Sequence, residues 1–448
     1  MINLNNKKIG IWGLGVVGKS VVEYLHSQNH NLTVMDRKPL TPEEDSFLGA
    51  KNISYILQNN PQEFLEIHDY IIASPGIDLR AYTAYSHKFI SELDLFSDAW
   101  HKPIIAITGT VGKTSITHLL STILNNNNKR VITGGNIGTA LLSLINQQDN
   151  YDYAVIELSS FQLEQCTRFA PDLAIWTNLY PNHLDRHETV ANYFTAKYAI
   201  LAHQNSNQKA LLPLELAQKI RALPATANRP LAFFCLTKPE VLTPDMYYYC
   251  DGDTIVRQSH NTREIIATQV PEISYPINWL IIYAALDLLG ISIDARALSS
   301  NTIPDHRLDL VATINSIDFY NDSKSTIMEA TLAAVKKLST QSPNKSITLL
   351  LGGLSKGVNR APYIKQLTGT VSKIVCFGTE ADSLYNFCTQ AAIPAKSYAT
   401  LEQAFAESIA EKSHDMCILF SPGGSSYDLF ADYKQRGERF KQLVQDYN

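Results

Sequence analysis

The chain has 448 residues, with 38 lysines and arginines against 43 aspartates and glutamates and a net charge of −5. At roughly 150 residues per domain that is room for about three domains. With 45% apolar and 18% charged residues, the balance argues against a disordered, collagen-like or nucleic-acid-dominated chain. Cys166, Cys235, Cys250, Cys376, Cys388 and Cys417 form no CxxC pair. They predict neither a zinc knuckle nor a redox dithiol, but scattered buried thiols in a reducing compartment. The first twelve residues lack the apolar core and cleavage site of a secretory signal. The longest apolar stretch, Trp279–Ile291, is interrupted by Asp287 and reads as a core helix too short for a bilayer. A cytoplasmic protein is expected, with no membrane and no nucleic acid among its partners.

In chain order, short β-rich apolar runs alternate with helical patterns. Strands are expected at Lys8–Trp12, Leu32–Met35, Ile53–Leu57 and Tyr70–Ala73, then at Ile104–Thr108, Val131–Thr133, Tyr153–Glu157, Leu173–Asn178 and Ala210–Pro213. Later ones are Ile347–Leu351, Lys373–Phe377 and Met416–Phe420. Continuous apolar strands predict parallel sheets covered on both faces. Ile116, Leu119, Leu120, Ile123 and Leu124 recur at helical spacing, and the run Asn125–Asn128 reads as a loop tip. Asp251-Gly252, between the β-prone halves of Tyr247–Val256, predicts a hairpin inserted in the middle domain. Breaks near residue 97 and at Asn301–Pro304 divide the α/β chain into domains 1–97, 98–302 and 303–448.

Two glycine loops carry the chemistry. Gly13-Leu14-Gly15-Val16-Val17-Gly18 follows the first strand and opens a helix, with Asp36 ending the next strand. Such glycines let a backbone turn tightly and approach a diphosphate at a helix N-terminus. A bare βα turn, a nicotinamide dinucleotide and a uridine diphosphate all fit this pattern. The second loop, Thr108-Gly109-Thr110-Val111-Gly112-Lys113-Thr114, joins the strand Ile104–Thr108 to an amphipathic helix. Backbone N–H groups there cradle phosphate oxygens, Lys113 adds a charge, and the Thr114 hydroxyl suits Mg²⁺. Ile107 stands where the longer phosphate-loop pattern has glycine. Glu157 ends a strand, which places its carboxylate at the carboxyl edge of a sheet, where α/β sites form. On residue type alone His183 is equally a loop hydrogen-bonding group, and Lys197 an ordinary lysine on a helix surface.

Further motifs follow in a fixed order. They are Gly134-Gly135-Asn136-Ile137-Gly138, Glu157-Leu158-Ser159-Ser160-Phe161-Gln162-Leu163-Glu164, Asn182-His183-Leu184-Asp185-Arg186 and Ala196-Lys197. After them come Asp305-His306-Arg307, Asn321-Asp322-Ser323-Lys324, Gly352-Gly353-Leu354-Ser355-Lys356-Gly357, and Ser421-Pro422 with Ser426 and Asp428. Over almost the whole chain this order resembles the Mur ligase family, the ATP-dependent amide-forming enzymes of peptidoglycan precursor synthesis. The short domain opening with a glycine loop, the Glu-Leu-Ser-Ser-Phe-Gln run and the Asn-Asp-Ser-Lys run are most similar to the family's D-glutamate-adding members.

The resemblance implies a Rossmann-like N-terminal domain, a central phosphate-loop ATPase-type sheet and a Rossmann-like C-terminal domain. It implies that the carboxylate of UDP-N-acetylmuramoyl-L-alanine takes the γ-phosphoryl of ATP, and that D-glutamate's amine then displaces phosphate. Lys113, Glu157, His183 and Lys197 would be the catalytic set. Gly109, Thr110, Val111, Gly112, Lys113, Thr114, Ser115, Asn278, Arg307, Asp322 and Lys324 would bind ATP. Gly15, Val16, Val17, Asp36, Arg37, Gly76, Asn136, Ser159 and His183 would hold the uridine-diphosphate sugar. Thr326, Lys356, Ser426 and Tyr433 would hold D-glutamate. Two Mg²⁺ ions would sit on Thr114, Glu157, His183 and an N-carboxylated Lys197. A monomer is expected.

Several residues depart from the family pattern. Val111 stands where Asn is usual, Asn182 where Asp is common, Ile277 where His is usual, Ile281 where a second Asn is found, and Ser355 where Asp precedes Lys356. The rival expectations are another Mur-type or a folylpolyglutamate-type ligase, an NAD-dependent dehydrogenase, and a non-catalytic nucleotide-binding regulator.

Overall fold

The structure is a computed structural model that describes residues 2–227, 229–240, 245–259, 262–268, 275–292, 305–410 and 415–447. The expected break at Asn301–Pro304 lies outside the described residues. The chain forms two compact units, Met1–Leu179 with Ala191–Ile303, and Tyr180–Val190 with Pro304–Asn448.

The first unit holds two sheets. One contains β1 (Lys8–Trp12), β2 (Asn31–Asp36), β3 (Ser54–Leu57), β4 (Tyr70–Ala73) and β5 (Phe89–Ile90), in the order β3-β2-β1-β4-β5 and parallel throughout. The order reverses beside β1, so the glycine loop after β1 lies at the switch point, where a ligand crevice forms.

The other sheet contains β6 (Ile104–Thr108), β7 (Val131–Gly135), β8 (Tyr153–Glu157), β9 (Leu173–Trp176), β10 (Lys209–Pro213), β11 (Ala232–Cys235), β12 (Met246–Asp251), β13 (Thr254–Ser259) and β14 (Thr262–Thr268). Its order is β14-β13-β12-β11-β10-β9-β6-β8-β7. From β7 to β12 all neighbours are parallel. Every residue of β6 is buried, as a strand covered on both faces requires.

Helix Lys113–Asn126 covers one face with Ile116, Leu119, Leu120, Ile123 and Leu124, all in the same core as Trp279, Leu280 and Ile282 of helix Pro276–Leu288. The latter helix is apolar almost all round and buried almost all round, as its composition requires.

Three expectations need correction. The Tyr247–Val256 hairpin exists, with Gly252 at φ +59°, but it is no insertion. β12 pairs in parallel with β11, so the hairpin continues the main sheet, and β14 extends it further. The Asn125–Asn128 run is only partly a loop. The helix continues through Asn126, and asparagine side chains close its end, Asn127 Nδ2 donating to the Ile123 carbonyl at 2.8 Å. The strand expected to reach Asn178 stops at Trp176, because Thr177 and Asn178 turn into the phosphate loop.

The two sheets of this unit share one apolar core, which runs from Ile9 and Ile11 to Trp176. Polar contacts lock it. The Asp94 carboxylate accepts from the Thr167 N–H and, at 2.9 Å, the Arg168 N–H. Glu92 Oε1 accepts from the Leu141 N–H at 2.8 Å.

The second unit holds β15 (Asp309–Ile314), β16 (Ile317–Asn321), β17 (Ser346–Gly352), β18 (Lys373–Phe377), β19 (Ala395–Tyr398) and β20 (Met416–Phe420), in the order β15-β16-β20-β17-β18-β19. Only β15 runs antiparallel to its neighbour. The weaker strands β15 and β19 were not evident in the sequence, because both are amphipathic edges rather than apolar runs.

Candidate active site

The phosphate loop leaves β6 with two left-handed glycines, Gly109 at φ +145° and Gly112 at φ +87°. A Cβ at Gly109 would lie 1.9 Å from Thr177 Oγ1, so only glycine fits there. The loop is held from the neighbouring strand end. Asn178 Oδ1 accepts from the Thr110 N–H at 3.1 Å and the Val111 N–H at 3.0 Å. Thr177 Oγ1 and Asn178 Nδ2 donate to the Val111 carbonyl at 2.6 and 3.0 Å. Thr177 and Asn178 are positioning residues that the sequence reading missed. Their signal was a Thr-Asn pair ending the strand beside the loop's own.

Lys113 curls back over the loop, its Nζ donating to the Gly109 and Thr110 carbonyls at 2.9 and 3.1 Å. Thr114 follows it in the first turn of helix Lys113–Asn126, and the next residue, Ser115, is buried. Glu157 ends β8, directly paired with β6 at Ile107, and is 1% exposed. Asn136 clasps it twice, through its N–H to the Glu157 carbonyl at 2.8 Å and its Nδ2 to Oε1 at 2.7 Å. Gly135 makes this possible, since a Cβ there would lie 2.3 Å from that carbonyl oxygen. Asn136 therefore orients the acid as well as standing among the residues expected for the sugar nucleotide.

Lys197 is 1% exposed, on helix Val190–Ala202. Its Nζ donates to the Gly109 carbonyl at 2.9 Å and Thr108 Oγ1 at 3.3 Å, and lies 4.7 Å from the centre of the Tyr193 ring. Burial pushes its amine well below the ordinary lysine value, and the charge of Lys113 adds to the effect against the opposing pull of Glu157. A lysine that reads as surface in the sequence is thus buried beside the phosphate loop and biased toward the neutral amine. Asn278 is buried at the start of its helix, with Oδ1 3.7 Å from the point a Cβ on Gly112 would occupy.

The donor set of this corner, a threonine hydroxyl and a carboxylate, suits Mg²⁺. Among the described residues no three His, Cys, Asp or Glu side chains form a metal cage. An ion here would therefore take few protein oxygens and complete its shell with water and phosphate, as Mg²⁺ does.

The other glycine loop is built differently. Gly13 has φ +96°, and a Cβ on Gly18 would lie 1.9 Å from the Gly13 carbonyl oxygen, so helix Val16–Ser27 packs tightly on the turn. Asp36 Oδ2 accepts from the Leu14 N–H at 2.7 Å and Oδ1 from the Lys38 N–H at 3.1 Å. The acid thus shapes the loop from the end of β2. Gly15, Val16 and Arg37 are exposed beside it and Val17 half-buried. Gly76 sits exposed in the turn closed by the Ile77 N–H to the Ser74 carbonyl at 2.9 Å. Ser159 forms a capping box with Gln162.

In the second unit, His183 adopts φ +54° at the start of the short helix Leu184–His187. Asn182, 5% exposed, accepts from the His183 N–H at 3.0 Å. The Leu184 N–H donates to the Lys356 carbonyl at 3.2 Å, so the His183 and Lys356 segments are neighbours. Leu354 and Ser425 exchange two backbone bonds of 2.9 Å, which brings the Lys356 loop beside buried Ser426.

Asp322 is buried and accepts from Ser325 Oγ at 2.5 Å, Ser421 Oγ at 2.7 Å and the Leu308 N–H at 3.2 Å. Burial raises its carboxyl to about 6. The carboxylate ties together three loops, next to half-buried Arg307. Lys324 Nζ lies 3.8 Å from the centre of the Tyr433 ring, and half-buried Thr326 follows in the same turn. Arg436, fully buried, donates to the Ser323 carbonyl at 2.7 Å and the Gly424 carbonyl at 2.9 Å. Nothing in the sequence marks it, since an arginine on an amphipathic helix reads as a solvated face.

A relative from Geotalea uraniireducens, named UDP-N-acetylmuramoylalanine--D-glutamate ligase, is 32% identical over 464 residues, covering 99% of this chain and 98% of its own. The chain belongs to the Mur ligase family. Residues 107–280 match the Mur ligase middle domain, and residues 7–86 match the Mur ligase MurD-like N-terminal domain. A relative of the same name from Protochlamydia amoebophila is 31% identical, covering 99% of this chain and 98% of its own. The fold of this Mur ligase is shared by the MurF ligase from Thermotoga maritima in complex with ADP, at 13% identity and TM-score 0.56, covering 100% of this chain and 98% of that one. It is shared also by E. coli FolC in complex with ADP, at 14% identity and TM-score 0.58, covering 84% and 99%.

The departures from the family pattern have structural accommodations. Val111 needs only its backbone to meet Thr177 and Asn178. Ile281 lies in the core and Ile277 packs against it. Ser355 donates through N–H and Oγ to Glu380 at 2.9 and 3.2 Å, an acid that an aspartate at 355 would face.

Proposed function

We propose that this protein joins D-glutamate to UDP-N-acetylmuramoyl-L-alanine at the expense of ATP, through an acyl phosphate, in peptidoglycan precursor synthesis. One observation carries the reading: Lys113, Glu157 and the buried, low-pKa Lys197 converge on a single phosphate loop. A dehydrogenase leaves all three without a task. A folylpolyglutamate-type ligase leaves the domain matched over residues 7–86 without one.

In the first step the muramoyl-alanine carboxylate attacks the γ-phosphorus and ADP departs. In the second the D-glutamate amine attacks the acyl carbon, loses a proton, and inorganic phosphate departs. The first step brings anions together, so fixed cations must offset their repulsion. Lys113 supplies one such charge, and the loop N–H groups, fixed by glycines 109 and 112, orient the phosphates. Thr114 and Glu157 would hold one Mg²⁺, with Asn136 keeping the acid aimed. Lys197, as a neutral amine, can add to CO₂ and lose a proton to solvent, becoming an N-carboxylated anion that would offer oxygen to a second Mg²⁺; His183 is likewise assigned to Mg²⁺. Bound Mg²⁺ neutralises charge on the transferring phosphoryl group.

The sugar nucleotide is assigned to Gly15, Val16, Val17, Asp36, Arg37, Gly76, Asn136, Ser159 and His183. Arg307, Asp322 and Lys324 are assigned to ATP, and Thr326, Lys356, Ser426 and Tyr433 to D-glutamate. The corresponding domains are 1–97, 98–302 and 303–448. The residues assigned here to all three substrates come from one chain, which supports a monomer. The six cysteines are all free, which supports the cytoplasm.

The test is phosphate release from ATP with each substrate alone and with both. Release should need both and yield the amide. Release that does not depend on the sugar nucleotide, or no amide product with all three substrates present, overturns the proposal.

A further inference from the structure

The loop that presents Lys356 is unusual in its backbone. Gly353, Lys356 and Gly357 all lie in the left-handed region, at φ +71°, +54° and +77°. Glycine adopts this freely, whereas a lysine there must be held.

The Leu184 N–H donates to the Lys356 carbonyl at 3.2 Å, and the residue before Lys356 is held by Glu380, which precedes helix Ala381–Gln390. Its Oε1 accepts from the Ser355 N–H at 2.9 Å and from Ser355 Oγ at 3.2 Å. Its Oε2 accepts from Arg360 Nη2 at 2.6 Å. Arg360, 2% exposed, also donates through Nη1 to the Gly352 carbonyl at 3.2 Å. One carboxylate therefore ties both ends of the loop, at Gly352 through Arg360 and at Ser355 directly, with Lys356 next in line. Both oxygens are in use, by three donors. A glutamine offers one acceptor oxygen, and its amide would face the guanidinium.

We infer that Glu380, paired with Arg360, is a positioning residue that sets the Lys356 ammonium for a carboxylate of the incoming amino acid. The inference rests on the proposed role of Lys356. It assigns Glu380 no contact with substrate. It makes D-glutamate affinity, rather than the phosphoryl step, the quantity the pair controls.

Steady-state kinetics on the full-length protein test it, with thermal unfolding measured alongside. Glu380→Gln should raise KM for D-glutamate about tenfold, as expected for losing one charge-assisted bond, with KM for ATP and for the sugar nucleotide little changed. Glu380→Asp, which keeps both acceptor oxygens, should fall between. Ser355→Asp sets a second carboxylate against Oε1 and should raise the same KM. Combining it with Glu380→Gln should recover much of the loss, because the new acid then meets an amide. An unchanged KM for D-glutamate in Glu380→Gln, with or without a lower Tm, overturns the inference. So does an equal rise in KM for all three substrates, or a double variant whose losses simply add. Lys356→Ala separates the two layers. If it leaves KM for D-glutamate unchanged, the role of Lys356 falls and this inference with it. If it raises KM while the Glu380 variants do not, only the inference falls.

Discussion

The two glycine loops begin alike and end differently. Each leaves a parallel strand at the edge where its sheet opens, each uses a left-handed glycine, and each runs into a helix N-terminus. Around Gly13–Gly18 the acid at the end of β2, Asp36, is spent on the Leu14 and Lys38 N–H groups, and Gly15, Val16 and Arg37 are exposed. Around Gly109–Gly112 stand Lys113, Glu157 and Lys197, two of them buried. The contrast teaches that glycines shape a cradle for a diphosphate. Whether that diphosphate is merely gripped or its phosphoryl transferred depends on the charges fixed around the cradle.

The largest test of that contrast is Lys113→Ala. On the proposed reading, removing this charge should lower turnover by roughly 10³-fold or more, read as phosphate release, while the sugar-nucleotide binding proposed for the first loop stays intact. Full activity would remove the distinction between the loops.

If Lys197 is N-carboxylated as proposed, Lys197→Ala should lose about 10²-fold or more and regain part of it with an added small carboxylic acid, which would stand in for the anionic oxygen. Rescue by small amines instead would mean that Lys197 acts as a cation.

Glu92 lies between the sheets that carry the two loops, buried, with Oε2 lacking a hydrogen-bond partner among the described residues. Burial raises its carboxyl to about 7. A carboxyl with a raised folded-state pKa costs stability as pH climbs from its unfolded value of about 4.5 to about 7, and costs nothing below that window. Over the window the loss is about 3 kcal/mol. Glu92→Gln removes it, so stability relative to wild type, measured by denaturant unfolding, should increase from pH 4.5 to 7. A difference that stays flat with pH would contradict the assignment.

The smallest effect concerns the first loop itself. Gly18→Ala forces a methyl against the Gly13 carbonyl and should cost roughly 1–3 kcal/mol together with sugar-nucleotide affinity. Gly15→Ala meets nothing within 4 Å and should cost under about 0.5 kcal/mol. Equal effects in the two variants would deny that packing of the helix on the turn makes this loop.

Much of the first unit was legible because its signals are local. An apolar strand, a glycine pair and a periodic helix follow one another along the chain, and the strands β1, β4, β6 and β8 fall where their apolar runs lie. Lys197 was legible only through its place after the His183 motif, since a lysine in a helix carries no sign of its own burial. Arg436 and Glu380 were not legible. Each acts on a loop far away in sequence, Glu380 on Ser355 25 residues earlier and Arg436 on Ser323 113 residues earlier. A polar side chain's partners across such distances follow from sheet order, not from its neighbours in the chain.

By itself, then, the sequence determined the phosphate loop, the parallel-sheet class and the order of motifs, because these depend on backbone freedom at glycine and on the periods of strand and helix. Tertiary structure alone decided that Lys197 loses its water beside Lys113, that Asn136 aims Glu157, and that Glu380 ties down Ser355 next to Lys356. Desolvation and charge proximity are properties of the space around a group, and only folding fills that space.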